Sequence, residues 1–328
     1  MSDSNKMDLT EALKKRYHRN DKIGQAVIDL CHEHLKNNLG DTNAEKKLAS
    51  DNLHTFWQQF SEVLLADQLI KAGIQPIHQA TGPDFLIEQD GKRIWIEVIT
   101  PEPTDIPNEW INREKGKVIG LPHEAMLLRW TAAIKQKTEV LLGGTAKIPN
   151  GYITKNIVGS GDAYVIAING RLLRGGVPQI EGISQLPFAV EATFCVGPYQ
   201  LQNDRNTLQT TCSGPQHRIL IPKPNGATVR ADTFLDPQYA PISAIWAVDI
   251  DEALLIGIQR PMIVVHNPNA STPVPRNFLP AYSEYVATDQ GDQIAIRWFL
   301  SSPRRRGIHA AAPPGSGVTV GGLPPTRE

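Results

Sequence analysis

Between Phe56 and Ala72 (FWQQFSEVLLADQLIKA) apolar residues recur at three- and four-residue steps, with Phe56, Phe60, Val63, Leu64 and Ile70 on or near one face and Gly73 as a stop. The spacing predicts a helix with Glu62 beside its apolar stripe. Phe85 to Glu88 and Arg93 to Ile99 are instead short β-branched or aromatic runs, and the polar Gln89-Asp90-Gly91-Lys92 between them predicts a β-hairpin. Helical spacing returns from Glu124 to Leu142, with Met126, Leu127, Trp130, Ile134 and Leu141 as the apolar positions. Residues 1–55 read as a helical extension carrying Val27, Leu30, Cys31 and Leu35, interrupted at Asn37 to Asp41.

After Asn169 short apolar segments alternate with Gly, Pro and Asn. Strands are expected at Phe188–Val196, Arg218–Ile221, Ala244–Asp249 and Met262–His266, with Asn225-Gly226 as a hairpin turn. The second half, 170–306, is therefore expected to be β-rich, continuing a sheet or adding a layer. Residues 307–328 are Gly- and Pro-rich without a stripe, which predicts a disordered tail.

Composition narrows the class. The content of 41% hydrophobic residues, the lack of any apolar run of the roughly 20 residues that span a bilayer, and a polar N-terminus, MSDSNKMDLTEALKKR, predict a soluble cytoplasmic protein with no membrane partner. Cys31, Cys195 and Cys212 lack paired spacing for zinc or an even count for disulfides, so reduced, buried thiols are expected. A net charge of -1 argues against a general polyanion-binding surface. Nucleic acid, DNA or RNA, would need a local basic patch such as Lys14-Lys15-Arg16 with His18-Arg19 and Lys22, or Arg304-Arg305-Arg306. A solvated helix face and a tail are the alternatives there. No GxxxxGK[ST], GxSxG or HExxH occurs, so nucleotide-driven motors, serine hydrolases and zinc proteases have no support. Nothing in the sequence specifies an oligomeric state.

The candidate chemistry lies in TGPDFLIEQDGKRIWIEVITPEP, Thr81 to Pro103. Asp84 opens the first strand of the hairpin and Glu97 lies near the end of the second, so antiparallel pairing through a tight turn puts both at one end. Glu97 sits among Trp95, Ile96, Val98 and Ile99, and a carboxylate in such a run needs a partner. A divalent cation shared with Asp84 would supply one. The other reading makes Asp84 a turn residue after Pro83 and pairs Glu97 with Arg93, Lys92 or Arg129. Downstream, the Pro-rich connection contributes Glu102, Asp105 and Glu109 as further loop acids, and His266-Asn267-Pro268 ends an apolar strand as either a turn or a polar cluster facing the site.

A helix with Glu62, a hairpin carrying Pro83-Asp84 and Glu97, then a second helix resembles the core of the PD-(D/E)xK nuclease superfamily, the restriction-endonuclease-like fold. The resemblance covers Phe56 to Asn169 and implies an α/β core at 56–169, a central mixed sheet flanked by helices and closed by a strand at Ala163–Asn169. It also implies that Asp84 and Glu97 hold Mg²⁺ or Mn²⁺ for phosphodiester hydrolysis, with Glu62 joining through water or orienting a ligand. The family's E-x-K would place lysine at position 99, where this chain has Ile99. Some members carry that lysine on the following helix, which makes Lys137, in one stripe with Arg129 and Ala133, the first candidate and Lys135 the second. A catalytically inactive module of the same fold, binding nucleic acid or protein, is the alternative that the absent lysine suggests.

Overall fold

The computed structural model describes residues 8–289, 293–301 and 317–321. Its helices are α1 (Leu9–Arg16), α2 (Asp21–Lys36), α3 (Ala44–Leu48), α4 (Leu53–Lys71), α5 (Asn108–Ile111), α6 (His123–Leu142) and α7 (Phe188–Thr193). The strands are β1 (Phe85–Gln89), β2 (Lys92–Ile99), β3 (Ala163–Asn169), β4 (Val196–Asn203), β5 (Thr210–His217), β6 (Leu220–Pro222), β7 (Thr228–Arg230), β8 (Ala244–Val248), β9 (Met262–His266), β10 (Ser283–Asp289), β11 (Gln293–Leu300) and β12 (Gly317–Gly321). The fold is α/β, a large mixed sheet with helices on both faces. Ten strands form it in the order β1-β2-β3-β8-β9-β10-β11-β12-β5-β4, while β6 and β7 make a separate ribbon turned at Asn225-Gly226. The second half thus continues the sheet.

Sequence chemistry explains the part of this sheet that bears the carboxylates. Gln89 pairs with Lys92, leaving Asp90-Gly91 as a two-residue loop, and both residues have positive φ (52° and 71°), as a type I′ turn requires. Asp is tolerated there and Gly is favoured, so the turn fixes the register. Strand β2 then runs parallel to β3, and β3 parallel to β8. Ile94, Ile96 and Val98 pack into the apolar layer formed with α4, while Trp95 and Ile99 pack into the layer formed with α6. Alternation along a strand therefore points Glu97 toward α6. Helix α4 is capped by Asn52, whose side chain accepts from Thr55 N at 2.8 Å, and it is buried around most of its circumference rather than along one stripe.

Two contacts fix α6. At its first residue, His123 Nε2 meets Glu191 Oε2 of α7 at 2.5 Å, and the other oxygen of Glu191 accepts from Ser184 N and Oγ. At its end, Gly143 has φ 75°, and a Cβ there would stand 2.4 Å from Gly151 N, so no other residue lets the returning chain approach so closely. That return brings Tyr152 N onto Val140 O and Ile153 N onto Leu141 O, capping the helix and setting Tyr152 beside the end of β2.

Two expectations are corrected. Phe188–Val196 is not one strand: Phe188–Thr193 is a helix starting after Pro187, and only Val196 onward is extended. The run FAVEAT is buried throughout, and an apolar run of that length carries no period to separate a buried helix from a strand. Within the supposed tail, Gly317–Gly321 forms β12, paired antiparallel with β11 and parallel with β5. Its side chains are small, but Val320 is buried by the neighbouring strands. The rest of 307–328, and Arg304-Arg305-Arg306, lie outside the described residues. Of the two readings of His266-Asn267-Pro268, the structure shows the turn: Asn267 accepts from Asn269 N and Ala270 N, its Nδ2 donates to Tyr239 O and Ile242 O, and His266 meets Glu284 Oε2 at 3.2 Å. Truncation before Gly317 is expected to lower stability by about 1.5–3 kcal/mol from the Val320 side chain alone. An unshifted urea midpoint for the truncated protein would refute that.

Candidate active site

Asp84 and Glu97 come together as the hairpin register dictates. Phe85 pairs with Ile96, so one step further along the ribbon Asp84 stands opposite Glu97. Asp84 Oδ2 accepts a hydrogen bond from Val98 N at 2.6 Å, which ties the residue before β1 to the end of β2. Glu97 Oε1 accepts from Lys137 Nζ at 2.6 Å, and both groups are almost fully buried. Lys137 is thus the helix lysine that reaches the carboxylates. Lys135 points to solvent and pairs loosely with Glu139 at 3.8 Å. Arg93 turns away to Glu88 and Asp162, so neither it nor Arg129 partners Glu97.

Glu62 enters from α4 and lines the same cleft as Asp84 and Lys137. Its Oε2 accepts from Gln59 Nε2 at 2.6 Å. The cleft is open, about 520 Å³, and its wall is completed by Lys47, His54, Gln58, Arg129, Gln136 and the segment Ile99 to Glu102 with Ala133. Gln58 holds the end of β2 in place, donating to Val98 O at 3.2 Å and accepting from Thr100 N at 2.9 Å. At the rim His54 bridges Thr100 O (3.1 Å) and Glu102 Oε1 (2.7 Å). Of the loop acids, Glu102 reaches the cleft wall and Asp105 and Glu109 do not.

The electrostatics are unbalanced. Glu62, Asp84 and Glu97 are three carboxylates with one buried ammonium, Lys137, directly among them, while Lys47 acts on Glu62 and Asp84 from the cleft wall. Burial, and next the neighbouring Asp84, hold Glu62 well above the usual carboxylate range. Burial also raises Asp84, against the pull of Lys137 and the Val98 amide. Glu97 is pushed up to about 7 by burial, with Lys137 opposing and Asp84 adding to the rise. For Lys137 burial works against the charge, but Glu97, Asp84 and Glu62 outweigh it and raise its pKa. Tyr152 donates its hydroxyl to Gly82 O at 3.1 Å and stands close enough to Glu97 to favour its charged form, and apart from this neighbour Glu97 Oε2 is buried without a hydrogen-bond partner.

The chain matches no family model, no curated protein and no solved structure. The site is therefore read from its own chemistry. Among the described residues no three His, Cys, Asp or Glu side chains form a group that could hold a metal ion. The unbonded Glu97 oxygen and the surplus negative charge nonetheless suit a hard cation that keeps several waters and takes only one or two carboxylates. Among the described helices none is long and apolar enough to cross a membrane.

Sequence reasoning missed Gln58, His54, Lys47 and Tyr152. Gln58 precedes Glu62 by four residues, so the two share a helix face, and that i,i+4 pairing was the available signal. Tyr152 had none, since it arrives by way of the chain return at Gly143 and Gly151. The N-terminal basic run is partly structural: Arg16 stacks on Phe56 at 4.0 Å and donates to Ser50 O, and Lys15 meets Asp51.

Proposed function

We propose that this protein is a metal-dependent nuclease hydrolysing phosphodiester bonds in DNA or RNA, a divergent member of the PD-(D/E)xK superfamily with a relocated lysine. The observation that supports it is the buried Glu97–Lys137 pair, whose lysine lines an open cleft together with Asp84, opposite Glu97 on the paired strand, and Glu62 from α4. Asp84 and Glu97 would hold Mg²⁺ or Mn²⁺, which on binding supplies charge to activate a water and to offset charge gathering on a phosphoryl group. Lys137 is held within hydrogen-bond reach of Glu97, where its ammonium would stabilise charge on a reacting phosphate. Glu62, held by Gln59, would join through water or orient a ligand. Gln58 keeps the end of β2 from shifting as charge changes beside it.

Titration of Mn²⁺ by calorimetry, alongside a nicking assay on DNA and RNA, tests this. Carboxylate-dependent binding and cation-dependent nicking are expected in the wild type, with binding lost in Asp84→Asn. Wild-type protein that neither binds Mn²⁺ nor nicks any substrate would favour the inactive binding module.

A pH signature should accompany the cation. Glu97 has a folded pKa of about 7 against an ordinary 4.5, so the folded state holds its proton more tightly than the unfolded state. Its contribution to stability is then largest below pH 4.5 and is lost as pH rises to about 7. Glu97→Gln, neutral at every pH, should gain melting temperature relative to wild type as pH rises through this window, and Mn²⁺ should restore the wild type at the alkaline end. A wild-type minus variant difference that stays flat across the window would contradict the buried charge.

A further inference from the structure

Every charged side chain lining the cleft has a partner except one. Lys47 is bonded to Asp41, His54 to Glu102, Lys137 to Glu97, Glu62 to Gln59 and Asp84 to Val98 N. Arg129 has no hydrogen bond or ion pair among the described residues, and its Nε is buried without an acceptor. A guanidinium carries five donors in a planar fork, so a partly buried one facing a cleft without an acceptor is a costly arrangement unless a ligand supplies it.

Its position says which ligand. Arg129, Ala133 and Lys137 follow one another by four residues on α6, and all three line the cleft. Arg129 is thus on the same face as Lys137 and about 12 Å away along the helix. Ala133 between them has only a methyl group, which leaves a shallow track from one cation to the other. We infer that Arg129 holds a backbone phosphate flanking the one that reacts, positioning the strand along α6. This rests on the nuclease reading, and a fork of donors matched to two oxygens of one anion is what a phosphodiester offers.

The test is binding without divalent cation, in chelator, using short labelled DNA and RNA oligonucleotides, single- and double-stranded. Arg129→Gln is expected to weaken binding about tenfold, as loss of one charge-assisted hydrogen-bonding group does. The slope of log affinity against log salt should fall by about 0.7–0.9, one phosphate contact fewer. Arg129→Lys, which keeps the stem and charge, should restore the slope while recovering affinity in part, and this separates phosphate contact from a folding defect. Substituting single linkages by neutral methylphosphonates should reveal one position that costs the wild type affinity and costs Arg129→Gln nothing. If the wild type binds, but Arg129→Gln keeps its slope and responds alike at every linkage, the inference is overturned and the nuclease reading stands. If the wild type binds none of the oligonucleotides, the inference is overturned, while the nuclease reading is decided separately by Mn²⁺ binding and nicking.

Discussion

Glu97→Ala is expected to abolish Mg²⁺- or Mn²⁺-dependent cleavage while leaving the protein folded. Loss of an outer-shell partner at a metal site already costs about 10–100-fold in affinity or activity. Removing a direct ligand, and the activated water with it, should exceed that, so the rate should fall by orders of magnitude. The fold should tolerate the change because Glu97 is a strained resident of its strand: burial raises its pKa to about 7, and Lys137 retains the attraction of Asp84 and Glu62 when Glu97 is gone. Single-turnover cleavage and circular dichroism on the same preparation check both halves. A variant that cuts within tenfold of the wild type would remove Glu97 from the mechanism.

Lys137→Met should behave in the opposite way toward the ion. In the cation-free protein Lys137 occupies Glu97 Oε1, so an incoming ion shares that carboxylate with an ammonium. Without the lysine, Mn²⁺ should bind at least as tightly, while turnover falls about 10²–10³-fold, the scale on which one preorganised charge stabiliser acts. Stability should change too. Breaking a buried pair by removing one member costs about 3–5 kcal/mol, and here three carboxylates lose their cation together. The cation-free variant should therefore melt well below wild type at alkaline pH and be rescued by Mn²⁺. Lys135→Ala should do none of this, since its contact with Glu139 is exposed and such pairs contribute about 0–1 kcal/mol. Weaker Mn²⁺ binding in Lys137→Met would show that the lysine organises the site rather than competing for it.

The parts of this architecture that could be read from sequence are those specified within a few residues. The hairpin is one, because Asp90-Gly91 sets the pairing and pairing sets which carboxylates meet. Lys137 followed from a four-residue stripe, yet its bond to Glu97 spans forty positions, and no local rule separates it from Lys135 until the helix is docked. Helix α7 was misread because burial on every side erases periodicity. Strand β12 was missed because its burial is supplied by β11 and β5, remote in the chain. His54 and Gln58 on α4 find their acceptors and donors only along the path from Val98 to Glu102, which is forty or more positions away.

The two-residue turn at Asp90-Gly91 has a meaning beyond the bend it makes. Paired positions along β1 and β2 add to one constant total, and Asp84 meets Glu97 only because their numbers satisfy it. Adding one residue inside β1 or β2, between the turn and the carboxylate, with the two-residue turn kept, would rotate that carboxylate to the opposite face, sending one toward α4 while the other stays toward α6. The site is in this sense stored as a count, so one residue inserted within either strand near the turn, distant from the cleft, would erase it as completely as replacing the carboxylates themselves.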